Sequence, residues 1–162
     1  MARTVLIGAP LDTGQKNPGC IMGPAAYRVA GLAQAIRDLG HGVEDWGDVS
    51  LPALAEVAHP NAVVHHLAET LGWTDVLQDR VDDALSDGGM PIIMGGDHSL
   101  ALGSVAGAAA HAERSGKPLF LLWLDAHSDF HTLATTTSGN LHGTPLAYIA
   151  GRDGFDAFPP FP

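Results

Sequence analysis

A chain of 162 residues that is 46% hydrophobic and 16% charged has the length and balance of one globular domain with a core, not of a disordered or fibrous protein. Eight Lys and Arg stand against 18 Asp and Glu, a formal charge of -10, which argues against nucleic acid as a partner because a phosphate backbone needs a cationic face. The single Cys20 cannot form an internal disulfide and suits a reducing compartment, so the expected location is cytoplasmic.

The opening Met1-Ala2-Arg3-Thr4, followed by the short Val5-Leu6-Ile7-Gly8, is too brief for a signal-peptide core. No apolar stretch approaches membrane-spanning length, so a soluble protein with no membrane partner is expected. Residues 4 to 9 are apolar or β-branched and close on Gly8 and Pro10, which reads as a buried strand feeding a loop. From Gly23 a helix is predicted by Pro24 in its first turn, a stripe of Val29, Leu32, Ala33, Ile36 and Leu39, and Gly40 as its stop. Residues 42 to 49 are a weaker strand. Residues 61 to 87 carry helical periodicity in two pieces, with Gly72 as the expected bend and acidic residues on the outer face. Met90 to Gly95 is a second buried strand, 99 to 115 a helix of small residues ended by Gly116, and Leu119 to Leu124 a strand apolar at every position. Continuous apolar strands alternating with helices predict an α/β fold, a three-layer α/β/α arrangement with a parallel sheet covered on both faces. No repeat, low-complexity stretch or linker divides the chain. After Ala150 the pattern gives way to a Gly-, Phe- and Pro-rich tail, so the four-strand array reads as unfinished.

In open parallel sheets ligands gather beyond the carboxyl ends of the strands, and two strands here finish in reactive residues. Leu119 to Leu124 runs into Asp125-Ala126-His127-Ser128-Asp129; in an extended segment Asp125, His127 and Asp129 would share one side. The competing reading of that pattern is a strand end whose aspartates cap the following turn. The strand at Met90 to Gly95 continues into Gly96-Asp97-His98-Ser99, which places His98 at the start of a helix, over the same crevice. Two imidazoles with several carboxylates suit Mn, Fe, Co or Zn, and the surplus of carboxylates permits bridging between two ions. Paired cysteines of a structural zinc site are absent. Two ions roughly 3.5–4 Å apart can share a water, lower its pKa and hold hydroxide against an electrophilic carbon, so hydrolysis is the natural chemistry. A third element, Thr135 to Pro145, is dense in hydroxyl and amide donors and could bind a polar headgroup; its His142 could pass a proton to a leaving amine, since imidazole ordinarily titrates near neutrality. The bland alternative is a flexible surface loop. His41, His59, His65, His66 and His111 show no partner pattern and read as solvated surface residues.

These three elements, in this order, resemble the ureohydrolase superfamily, and the third is similar to the arginase substrate loop rather than its agmatinase counterpart. Gly95-Gly96-Asp97-His98-Ser99-Leu100 and Asp125-Ala126-His127-Ser128-Asp129 resemble the first two superfamily signatures, and Thr136-Thr137-Ser138-Gly139-Asn140-Leu141-His142-Gly143 the arginase loop. Ile7-Gly8-Ala9-Pro10 and Gly19 to Arg28 resemble the family's opening strand, loop and first helix. The resemblance implies a site for two Mn²⁺ ions in which His98 and Asp129 hold one ion, His127 holds the other and Asp125 bridges them. It further implies attack of a bridging hydroxide on the guanidinium carbon of L-arginine, releasing urea and ornithine, with Asp129 and His142 in the catalytic machinery. Thr136, Ser138, Asn140 and Gly143 would recognise the substrate's α-amino and α-carboxylate groups. His131 stands where many arginases have an asparagine that touches the α-carboxylate, which keeps agmatine, guanidinobutyrate and hydroxyarginine open as substrates. The family's later Asp-x-Asp signature does not occur, so residues 1–162 are expected to be the N-terminal half of an arginase-like domain with its C-terminal half absent. By that reading strands of the other half would lie between the third and fourth strands seen here. Such a fragment could be catalytically dead alone, while the full-length enzyme would be a homo-oligomer.

Overall fold

The computed structural model describes residues 3–162; Met1 and Ala2, from the opening segment expected not to be a signal peptide, lie outside the described residues. A parallel sheet is built from β1 (Arg3–Ala9), β2 (Gly42–Asp48) and β3 (Met90–Gly95), in the order β2-β1-β3. β1 occupies the centre because it is the most continuously apolar strand, and every residue from Thr4 to Ala9 is buried. Its alternating side chains serve two cores. Leu6 packs with Ile36 and Met94 on one face, while Val5 and Ile7 pack with Ala84, and Ala9 with Trp73 and Leu77, on the other.

The first face is covered by α1 (Gly23–Val29) and α2 (Leu32–Asp38), the second by α3 (Leu67–Ser86), with α4 (Leu100–Arg114) packed on α3. The expected three layers are therefore present. One helix was expected from Gly23 to Gly40, but Gly31 adopts φ 84, a left-handed conformation that only glycine takes cheaply, and it splits the segment in two. Conversely, α3 runs unbroken through Gly72, the expected bend, and residues 61 to 66 precede the helix rather than forming its first piece. Gly72 is a packing site: a Cβ there would come within 2.6 Å of the Leu54 side chain. α4 approaches α3 so closely at Gly103 that an added Cβ would lie 2.3 Å from the Thr74 carbonyl. No helix among the described residues is long and apolar enough to cross a membrane.

The expected fourth strand is the principal correction. Leu119 to Leu124 forms no strand, and among the described residues the sheet has three strands instead of four. Phe120, Leu122 and Leu124 are 85%, 67% and 87% exposed. A strand exists through its ladder of hydrogen bonds, and no described segment pairs with this one. The Gly- and Phe-rich tail, by contrast, is ordered: Phe155 and Phe158 pack around Tyr148 of α5 (Pro145–Ile149), whose hydroxyl donates to the Pro159 carbonyl at 2.8 Å. Burial, with the negative charge of Asp75 nearby, pushes the Tyr148 hydroxyl up to about 12, so it remains a donor at all ordinary pH.

Candidate metal centre

β3 ends at Gly95, and the turn Gly96-Asp97-His98 carries the chain into α4, setting His98 over the carboxyl end of the sheet. His98 Nδ1 lies 2.7 Å from Asp129 Oδ2 and 3.0 Å from Asp125 Oδ2. One ligand atom from each of these three residues lies within 4.8 Å of the others. The Trp123 ring sits 4.8 Å from the imidazole at 31°, an apolar wall that limits its rotation. Asp129 is buried and left-handed, with φ 45, and its carbonyl accepts from the Leu146 and Ala147 amides at 3.1 and 3.2 Å. A conformation costing about 1 kcal/mol or more is thus held by the first turn of α5.

The donor set fits a divalent cation. Asp129 Oδ2 is buried without a hydrogen-bond partner even though His98 Nδ1 is 2.7 Å away, so two lone-pair donors converge on one point without satisfying each other. A buried carboxylate oxygen left in that state is costly, and a shared cation removes the cost. Asp125 favours the carboxylate form that a cation would need. Its carboxyl is held below the usual carboxylate range, chiefly by the His127 amide, which donates to Oδ1 at 2.8 Å, and further by the charges of His98 and His127, against an opposing effect of desolvation.

That same hydrogen bond turns the chain, so the alternation expected from an extended segment does not persist past Asp125. Asp125 and Asp129 converge on His98, whereas the His127 side chain is 85% exposed, with Nδ1 3.5 Å from Asp125 Oδ1. The turn-capping reading therefore holds for Asp125 Oδ1, while Asp125 Oδ2 and Asp129 face His98. All four expected ligands line one cavity of about 490 Å³, together with His131, His142 and Gly143. Thr136, Ser138 and Asn140 do not line it. The Thr136 hydroxyl accepts from the Gly139 amide at 3.1 Å and the Ser138 hydroxyl from the Asn140 amide at 3.2 Å, shaping the loop that ends at His142. Among the remaining histidines only His66 is exposed; His41, His59, His65 and His111 are half-buried, and His111 lies 3.6 Å from Asp82, a correction to their reading as solvated residues.

Two supporting residues carried no role in the sequence reading. Asn61 donates to the Leu133 and Thr136 carbonyls at 2.9 and 3.1 Å, pinning the Thr-rich loop from 72 and 75 residues away. Asp97, quoted only as part of a motif, is buried and accepts from Gly14 and Ser99 amides. Spacing gives no hint of Asn61, whereas an Asp between two glycines and a ligand histidine is a visible signal.

A model of the Arginase family matches residues 2–158. The chain belongs to the arginase family. The arginase of Agrobacterium fabrum is 46% identical over 155 residues, which are 96% of this chain and 48% of the relative. The native structure of Bacillus caldovelox arginase superposes with a TM-score of 0.79 at 36% identity, covering 93% of this chain and 50% of that one. Entamoeba histolytica arginase, solved in complex with L-ornithine, gives 0.78 at 28% identity over 94% of this chain and 51% of that one. This arginase-family chain spans about half the length of the curated relatives it matches, and its three-stranded parallel sheet with helices matches the corresponding half of their fold.

Proposed function

We propose that these residues form the N-terminal half of an arginase-type amidinohydrolase that hydrolyses L-arginine to ornithine and urea with Mn²⁺. The observation that carries this reading is the convergence of His98, Asp125 and Asp129 on one point beyond the sheet, in a cavity also lined by His127, His131 and His142. The donor set of imidazole and carboxylate suits a first-row cation such as Mn²⁺, and two ions are expected in the complete site. His98 and Asp129 would hold one ion, Asp125 would bridge, and His127 would turn inward to the second. When bound, the cations supply Lewis acidity that makes water a nucleophile near neutral pH.

The protein's own groups do the rest. His142, whose imidazole faces the same cavity, carries a proton to the departing amine of ornithine. His131 and Gly143 on the cavity wall are placed to meet the amino-acid headgroup, with Thr136, Ser138 and Asn140 holding the loop in register for it. The ornithine complex of the Entamoeba relative supports an amino-acid headgroup. The chain alone, with the expected ligand His127 facing solvent and about half its relatives' length, is expected to be inactive.

The test is urea release from L-arginine by the full-length enzyme with Mn²⁺. Turnover of agmatine, guanidinobutyrate or hydroxyarginine without turnover of arginine would overturn the substrate assignment. For the 162-residue chain, calorimetric titration with Mn²⁺ is expected to show weak binding of a single ion; tight binding of two ions would refute the inactive-fragment reading.

A further inference from the structure

We propose that Asp97 is a positioning residue for His142 and acts through the peptide of Gly14. The Asp97 carboxylate is 5% exposed and is fully engaged by backbone donors: Oδ2 accepts from the Gly14 amide at 2.8 Å and Oδ1 from the Ser99 amide at 2.8 Å. Gly14 in turn offers its carbonyl to the His142 amide at 3.0 Å. One buried carboxylate thus ties the turn after β3 to the loop after β1, and that loop to the residue proposed to move a proton. The Asp97 amide donates to the Leu11 carbonyl at 3.0 Å, so the same two loops are joined at a second point.

Glycine at position 14 is required by this link rather than by its backbone angles. A Cβ at Gly14 would lie 2.3 Å from Asp97 Oδ1 and 2.7 Å from the Ser99 hydroxyl, so any side chain pushes the carboxylate off the Gly14 amide. On the far side of His142, the Gly143 carbonyl accepts from the His131 amide at 3.2 Å. His142 is therefore held on both sides, and Asp97 governs one of them. A carboxylate suits this task because it accepts two amide hydrogens in charge-assisted bonds, whereas an amide side chain offers one acceptor oxygen and sets an NH₂ against the second donor.

The inference rests on the proton-shuttle role proposed for His142, and the experiment separates the two. In the Mn²⁺-loaded full-length enzyme, Asp97→Asn is expected to lower kcat about 10- to 100-fold, with a smaller change in KM, because a shuttle displaced by a fraction of an ångström loses its proton-transfer geometry. Hydrogen exchange at the His142 amide should quicken in the same variant. Asp97→Asn placed in a His142→Ala background should cost nothing further in kcat, since the group it positions is already gone. An equal loss in both backgrounds would show that Asp97 acts through the neighbouring ligand His98 instead and would overturn the inference, as would unchanged exchange at the His142 amide. Gly14→Ala approaches the same link without touching residue 97 and must reproduce the kcat loss; a folded Gly14→Ala enzyme with wild-type kcat also overturns it. If His142→Ala alone leaves kcat intact, the shuttle reading fails, and the exchange measurement still decides whether Asp97 anchors residue 142.

Discussion

Two neighbouring stretches of chain, 119–128 and 129–148, carry the site in opposite ways. The first holds Asp125 and His127, yet its Phe120, Leu122 and Leu124 face solvent and it pairs with no described strand. In the second, Leu133, Leu141 and Ala147 are fully buried, and Asp129, His131 and His142 are each fixed by backbone hydrogen bonds. The difference teaches that a ligand's identity and its rigidity have separate origins. Asp129 is locked by the first turn of α5, while the His127 side chain stays exposed. Phe120, Leu122 and Leu124 form an exposed apolar row just before it.

The largest expected effect tests that contrast at the ligands. In the full-length enzyme both Asp129→Ala and His127→Ala should abolish urea release. In the 162-residue chain they should part company: calorimetry is expected to show Asp129→Ala weakening Mn²⁺ binding about 10- to 100-fold, and His127→Ala leaving it nearly unchanged. Equal effects in the short chain would erase the distinction between the two stretches.

Next in size is packing. Leu133→Ala should cost about 2–5 kcal/mol in denaturant unfolding, because it empties a fully buried position, while Leu122→Ala should cost under about 0.5 kcal/mol and reduce self-association seen by light scattering. A large cost at Leu122 would mean that the segment is packed in solution. Gly103→Ala serves as a reference from the helical layer: its methyl would meet the Thr74 carbonyl, for an expected cost of about 1–3 kcal/mol.

The smallest effect concerns acid. Arg28 donates to Asp45 at 2.7 and 2.9 Å and holds that carboxyl below its ordinary value. A depressed carboxyl contributes stability above its unfolded pKa and loses it as pH falls through the folded value. Asp45→Asn should therefore lower stability by only about 0.5 kcal/mol at pH 7, a difference that vanishes in strong acid. Thermal melts at pH 7 and at pH 2 to 3 check this, and a deficit that persists in acid would assign the effect to packing.

The central strand, the two flanking strands, α3 and α4 were legible because hydrophobic period and length are properties of the local chain. So were the donors: Gly-Gly-Asp-His and Asp-x-His-x-Asp bring imidazole and carboxylate groups that could hold a cation to the crevice beyond the sheet. Spacing misled where it assumed continuity. Alternation in 125 to 129 presumed an extended backbone, but Asp125 accepts the His127 amide and turns the chain. The role of Asn61 was illegible because it acts on backbone groups far away in sequence, where no local pattern records the contact; the Gly-Gly-Asp-His motif marked Asp97 but not its distant partner, the Gly14 amide.

By itself, then, the sequence determined the layer architecture, the family resemblance and the chemical identity of the donors, all of which follow from side-chain type and local period. Only the tertiary structure decided which donors meet, which residue holds His142, and that the apolar run 119–124 is not a strand. The physical reason is the same in each case: a hydrogen bond or a coordination site needs a second partner, and its position is set by the rest of the fold.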